Sequence, residues 1–312
     1  MSIGTHEHTL LAPPALAVHP ERVAKRSRYS LLTRHRLLVI ASMVSITTVL
    51  YLIQGLLWPH PRDPHGVLQD VWGWGALLWL GAVVPGACGL IGMITYRHPK
   101  LADVHRIADL VSWRIVSRGT NKDALLSTIR RCQSEMAKTP LFPYIIEVVT
   151  DTEALSLDDD DVRGIVVPHD YRTANGSLFK ARGLQYALEN SPLPDTAWIV
   201  HLDEETQPTS SGIRGIARMI AQEKHREQET GAPPRIGQGA LLYHRDWRKH
   251  PFLTLADNVR TGDDFARFHF EHRIIGKTIF GLHGSYIVVR SDVEKVGGFD
   301  FGPVGSITED AF

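Results

Sequence analysis

TAWIVHLDEETQP, residues Thr196–Pro208, is the stretch whose reading decides the fold. Ala197, Trp198, Ile199 and Val200 read as a buried strand that delivers Asp203, Glu204 and Glu205 at its C-terminal end. Carboxylates there are well placed for a divalent cation and a diphosphate. Hard cations take oxygen ligands, and open α/β sheets bind ligands beyond their strand C-termini. Asp203 and Glu205 are two apart, so an extended backbone points both the same way and Glu204 the other. A solvated acidic turn after a strand is the alternative reading of this stretch by itself.

The flanking chain alternates in type. Trp113–Ser117, Tyr144–Thr150 and Arg163–Pro168 read as strands, and Lys122–Met136 and Ser177–Glu189 as helices. The order strand, helix, strand, strand, helix, strand predicts an open, largely parallel sheet. Asn121, Asp151 and Asp203 all fall at its ligand-binding edge. Downstream, Thr209–Glu229 has a helical apolar stripe (Ile213, Ile216, Met219, Ile220), and Ile236–Tyr243 reads as a fifth strand. Leu253–Ile275 reads as a long amphipathic helix, Ile279–Val289 contains GLHGSYIVV, and SDVEKVGGFDFG reads as helix then turn.

The N-terminal third differs. Residues 1–36 form a basic leader, with Arg22, Lys25, Arg26, Arg28, Arg34 and Arg36 near its end. Residues 37–58 carry no charged side chain and are long enough, at ~1.5 Å per residue, to cross a bilayer core of ~30 Å. A short Pro-rich loop, 59–70, leads to a second uncharged segment, 71–96, rich in Gly and holding Pro85. Trp72, Trp74 and Trp79 lie toward one end, with Tyr96, Arg97 and Lys100 at the other. These features predict a transmembrane hairpin, and the positive-inside rule places the leader and the domain 102–312 in the cytoplasm. The ending GSITEDAF reads as the start of a helix that has been cut, so a longer natural protein is expected.

Composition narrows the function. The 312 residues carry a formal net charge of +0, without the basic footprint of a nucleic-acid binder. Cys88 and Cys132 give neither a metal spacing nor a disulfide framework, and His244, His250 and His283 lack zinc-ligand spacing. The first strand ends in SRGTN rather than a glycine triplet, and no GKS or GKT, HExxH or GxSxG occurs. A nicotinamide oxidoreductase, a P-loop enzyme, a zincin and a typical serine hydrolase are disfavoured.

Five features now line up in order: a strand ending near Asn121, a strand ending at Asp151, Lys180 in KARGLQYAL, Asp203-x-Glu205, and Thr308-Glu309-Asp310. Over roughly 111–312 the chain resembles membrane-bound family 2 glycosyltransferases of the GT-A fold. Within them it looks most like the egghead-type β-1,4-mannosyltransferases, through HLDEET (201–206), IGQG, LTLADNVRTGDDFARFHF, GLHGSYIVVR and GSITEDAF. SRGTN replaces the common Pro-x-x-Asn-Glu ending of the first strand, which puts base contacts there in doubt. The Gln-x-x-Arg-Trp motif of processive synthases lies beyond the TED in that family, and this sequence stops first.

The resemblance implies a nucleotide sugar as donor (GDP-mannose or a UDP-hexose) and a lipid-linked sugar or growing glycan as acceptor. It also implies Mg²⁺ or Mn²⁺ held by Asp203 and Glu205; with the two apolar segments, a multi-pass location in the plasma membrane of a bacterium is expected. Asp151 is implied to contact the base or ribose, with Asn121 at the same edge; a helix or turn cap is the plainer reading of Asp151. Lys180 is implied to lie near the diphosphate, and a surface salt bridge is its alternative. Arg182 and Glu204 read as surface or structural groups. Asp310 is the candidate general base of an inverting displacement, although an acid there also suits a helix N-terminus. Gly281, His283, Gly284 and Glu309 are expected on the acceptor side. A processive UDP-hexose polysaccharide synthase, a non-catalytic membrane scaffold and a nucleotidyltransferase are the competing functions.

Overall fold

The computed structural model describes residues 86–97, 101, 103–151, 159–242, 248–251, 253–254, 261–262, 264–276 and 285–302. Its centre is a six-stranded sheet. In chain order the strands are β1 (Val111–Ser117), β2 (Tyr144–Thr150), β3 (Val162–Val166), β4 (Trp198–Asp203), β5 (Gly237–Gln238) and β6 (Ile287–Arg290). In space they run β3-β2-β1-β4-β6-β5. The pairs β1–β2, β2–β3 and β1–β4 are parallel, whereas β6 lies antiparallel to both β4 and β5. The expected mainly parallel α/β sheet is therefore present.

The α-helices that frame the sheet are α1 (86–95), α2 (Lys122–Lys138), α3 (Phe179–Asn190), α4 (Ser210–Thr230) and α5 (Ser291–Gly297). Their termini follow local chemistry. The Asn121 side chain accepts from the Ala124 N–H to cap α2, and Thr209 does the same for α4 through Gly212. Gly231 ends α4 at φ 67°, a left-handed conformation that glycine adopts without a Cβ penalty. One face of the sheet (Val111, Trp113, Ile115, Ile146, Val148, Trp198, Val200, Leu202) packs on the apolar stripes of α2 and α4. The expected stripe residues Ile213, Ile216 and Ile220 are buried in it.

The opposite face is not uniformly apolar. Between a cluster around Val149, Ile165 and Ala187 and another around Leu193, Ile199 and Val289 lies a buried polar layer. Arg114 is 1% exposed; it donates to Glu147 at 2.9 and 3.1 Å and to Glu294 of α5 at 2.8 Å. Glu147 also accepts from Ser112 and Ser191, and Glu294 meets His201. Strand register explains the assembly, since Arg114 sits opposite Glu147 on β2 and His201 on β4. Burial alone would raise the Glu294 carboxyl, but the charges and hydrogen bonds of His201 and Arg114 outweigh it and hold it below the usual range.

The fifth strand is shorter than the sequence suggests. Only Gly237–Gln238 pair, not Ile236–Tyr243. Beyond them the Leu241 N–H donates to the Asp264 carboxylate, which draws the backbone away from the ladder. Asp264–Phe268 and Glu271–Ile275 are wound as π-helix, inside the stretch expected to be one amphipathic helix. This stretch meets α1 closely: a Cβ on Gly92 would lie 1.7 Å from the Ala266 carbonyl oxygen. The Tyr96 ring packs edge-on against Phe265 and His269. Gly92 of the second apolar segment thus permits a helix contact.

The expected span 37–58, the leader, and residues 71–85 of the second span lie outside the described residues. Among the described residues no helix is long and apolar enough to cross a membrane.

Candidate functional site

The strand order reverses at β1, because β2 and β3 lie on one side of it and β4 on the other. Such a switch point opens a crevice at the strand C-termini. Here the crevice is an open cleft. Ser117 and Arg118 from the end of β1, Asp151 after β2, Phe179 and Lys180 from α3, and Asp203, Glu204 and Glu205 after β4 all line it.

The acidic cluster is a turn, not the extended strand the sequence suggested. The Thr206 N–H donates to the Asp203 carbonyl at 3.0 Å, so β4 stops at Asp203 and the chain folds back. The alternation that would turn Glu204 away therefore does not apply. Glu204 lines the cleft, its carboxylate takes the Ser117 hydroxyl, and its carbonyl accepts from Thr128 at 2.6 Å. Glu205 lines the same wall. Desolvation, then the charge of Asp203, raises its carboxyl above the ordinary value. Ser285 braces the turn from behind: it accepts from the Asp203 N–H at 3.1 Å and donates to Thr206 Oγ1 at 2.8 Å. Antiparallel β6 begins beside the end of β4, which is why residue 285 reaches residue 203.

Lys180 stands in the first turn of α3, where a cation opposes the helix dipole. Its ammonium donates to Asp203 at 2.6 Å. The salt bridge read as an alternative for Lys180 is thus real, and it lies at the cleft rather than on an unrelated surface. Asp151 is joined to Arg182 at 2.5 Å. Arg182 is only 13% exposed and also donates to the Pro168 and Tyr171 carbonyls, which corrects its reading as a surface residue. Arg182 is two positions beyond Lys180, and it meets the cleft only through Asp151. Asn121 is not part of the cleft lining; its side chain caps α2.

The entry to α3 is held from the far end of the chain. Asp300 accepts from the Asn175 N–H at 2.7 Å and from the Ser177 hydroxyl at 2.5 Å, and the Asn175 amide donates back to the Asp300 carbonyl. The Phe299 N–H donates to Gln185. Sequence reasoning missed Ser117, Ser285 and Asp300. The signals were faint: a serine closing a strand, a serine after GLHG, and an aspartate in GGFDFG.

Asp203 and Glu205 are hard oxygen donors in one wall of the cleft, and Mg²⁺ is commonly held by one or two carboxylates plus substrate phosphates. The residues present therefore fit a cation that arrives with a diphosphate. They do not form a closed cage, since no group of three or more His, Cys, Asp or Glu among the described residues converges as a metal site. Gly281, His283, Gly284, Glu309 and Asp310 lie outside the described residues.

An open α/β sheet with a lysine, an arginine and four carboxylates at its switch-point cleft suits a small phosphate-bearing ligand. No protein-family model matches the chain. Curated relatives do. The β-1,4-mannosyltransferase egh of Drosophila melanogaster is 35% identical over 239 residues, 76% of this chain and 50% of the fly protein. The β-1,4-mannosyltransferase bre-3 of Caenorhabditis briggsae is 35% identical over 241 residues, and that of Caenorhabditis elegans 34%, each over 76% of this chain and 51% of the relative. The chain is a homologue of these egghead-type sequences, as the motifs suggested, and it spans about half the length of the curated relatives it matches.

Proposed function

We propose that this chain carries the catalytic domain of an inverting, family 2 glycosyltransferase that moves mannose from GDP-mannose, in β linkage, to a lipid-linked or glycan acceptor. The observation that carries the reading is the Lys180–Asp203 pair beside Glu205 at the switch-point cleft. The relatives' β-1,4-mannosyltransferase names supply the sugar and the linkage. The basic leader and the uncharged segments 37–58 and 71–96 support a membrane anchor with the domain on the cytoplasmic side.

The chemistry follows from the charges. As the bond between the sugar carbon and the phosphate oxygen breaks, the leaving diphosphate gains negative charge. The Lys180 ammonium has three donors, so it serves Asp203 and a phosphate oxygen together. Mg²⁺ or Mn²⁺, held by Asp203 and Glu205, supplies Lewis-acid stabilisation of the same oxygens when bound. Asp310 takes the proton of the acceptor hydroxyl as that oxygen bonds to the anomeric carbon from the opposite face. One displacement inverts the centre, so an α-linked donor yields a β product.

Donor turnover by the full-length protein in detergent, with GDP-mannose, UDP-glucose and other nucleotide sugars, tests this. Metal-dependent GDP-mannose turnover, lost at least a hundredfold in D203N and in D310N, is the expected result. Preference for a UDP-sugar overturns the mannosyl assignment and favours a polymer synthase. No turnover and no calorimetric binding of any donor leaves a scaffold.

A further inference from the structure

Arg118 and Phe179 face each other at the cleft, and nothing in the reading above uses them. Phe179 opens α3 at φ 50°, in the left-handed region that a bulky side chain rarely enters. Burial does not compensate, because the residue is 54% exposed. Leu178 before it gives α3 no side-chain cap. A glycine would relieve the backbone and remove the exposed ring at once. A strained backbone that presents an exposed aromatic at a ligand cleft is the kind of outlier that points to function.

The Arg118 guanidinium carbon lies 5.3 Å from the centre of the Phe179 ring, in cation–π range. Both side chains line the cleft, with Asp151 on the β2 side and Lys180, Asp203 and Glu205 on the β4 side. We propose that Arg118 and Phe179 form a stacking platform for the base of a nucleoside diphosphate whose phosphates are directed to Lys180 and the acidic turn. A nucleobase is a planar π system that stacks on an aromatic ring, and a guanidinium stacks on such planes as well. Phe179 and Lys180 are consecutive, so one backbone segment presents the platform and the phosphate-binding cation side by side. The clamp of Asp300 on residues 175–177 fixes that segment. This inference rests on the nucleotide-sugar reading and adds the residues that grip the base.

Calorimetry on the full chain in detergent, with GDP and with inorganic pyrophosphate, each with Mn²⁺, tests it. F179G suits φ 50° and is expected to melt no earlier than the wild type. Its GDP affinity is expected to fall roughly 5- to 150-fold, the range for losing one base–aromatic stack. Pyrophosphate affinity is expected to stay unchanged, and F179W to restore GDP binding. R118A is expected to show a smaller loss confined to GDP. Unchanged GDP affinity in F179G overturns the platform, and so does an equal loss for GDP and pyrophosphate, which would mark a residue that only shapes the lysine site. If F179G fails to fold, F179N, which also tolerates positive φ, carries the same comparison. A wild-type protein that binds neither GDP nor UDP overturns the nucleotide reading itself, whereas wild-type binding with an indifferent Phe179 overturns only the platform.

Discussion

Asp203 is held by three different kinds of partner: a strand behind it, Lys180 in front, and the Ser285 hydroxyl at its N–H. Ser285 is 2% exposed and serves as both acceptor and donor. In S285A the Asp203 N–H and the Thr206 hydroxyl both lose a partner. A net loss of about 1 kcal/mol is expected from one such hydrogen bond. Under the proposed function the effect on turnover should exceed the effect on stability, because Asp203 would then be misplaced toward the donor's diphosphate. We expect metal-dependent turnover to fall about tenfold while the melting temperature changes by a few degrees. An unchanged turnover would show that the turn is rigid without Ser285.

At the scale of elements, α2 and α4 are locked by one carboxylate. Glu135 is 4% exposed near the end of α2, accepting from Ser210 of α4 at 2.5 Å and from Lys138 at 2.9 Å. The Ser210 hydrogen bond, then that of Lys138, lowers its carboxyl from 4.5 to about 2. A depressed acid stabilises the fold fully above its unfolded pKa, and that contribution is lost as pH falls through the folded value. E135Q should therefore melt below the wild type at neutral pH, and the gap should narrow between pH 4.5 and about 2. Thermal scans of both proteins across that window decide it; a gap constant with pH would mean that the charge of Glu135 contributes nothing.

Across the whole molecule the buried layer of Arg114, Glu147, Glu294 and His201 ties β1, β2, β4 and α5 together beneath the cleft. Replacing Arg114 takes the charge partner from Glu147 and one of two from Glu294, which keeps His201, and breaking a buried pair costs about 3–5 kcal/mol. R114M keeps the volume and removes the charge, so it should lower the denaturation midpoint sharply, as read by urea unfolding in detergent. A midpoint within error of the wild type would show that Glu147 and Glu294 find new partners. The layer also links the cleft to the far end of the described chain, since α5 carries Glu294 and runs on to Asp300.

Much of this was legible in the chain itself. Apolar runs such as WIVHL and YIIEVV set the strands, apolar stripes such as Ile213, Ile216 and Ile220 set the helices, and the order of elements set a parallel sheet. These follow from local periodicity and backbone chemistry, which a short window of residues carries. The same window also showed Asp151, Lys180, Asp203 and Glu205 as cleft candidates, because each follows a strand or opens a helix. Folding alone decided what crosses long separations. Sequence spacing could not show that Arg182 would reach Asp151, that Ser285 would brace Asp203, or that Asp300 would clamp the entry to α3. Strand alternation also misplaced Glu204, because the backbone leaves the extended state at Asp203 to satisfy the Thr206 N–H. A lone Arg, Glu and His in the middle of three strands was the visible sign of the buried layer. Only the register of β1 against β2 and β4, fixed by pairing between distant segments, turned those three residues into one network.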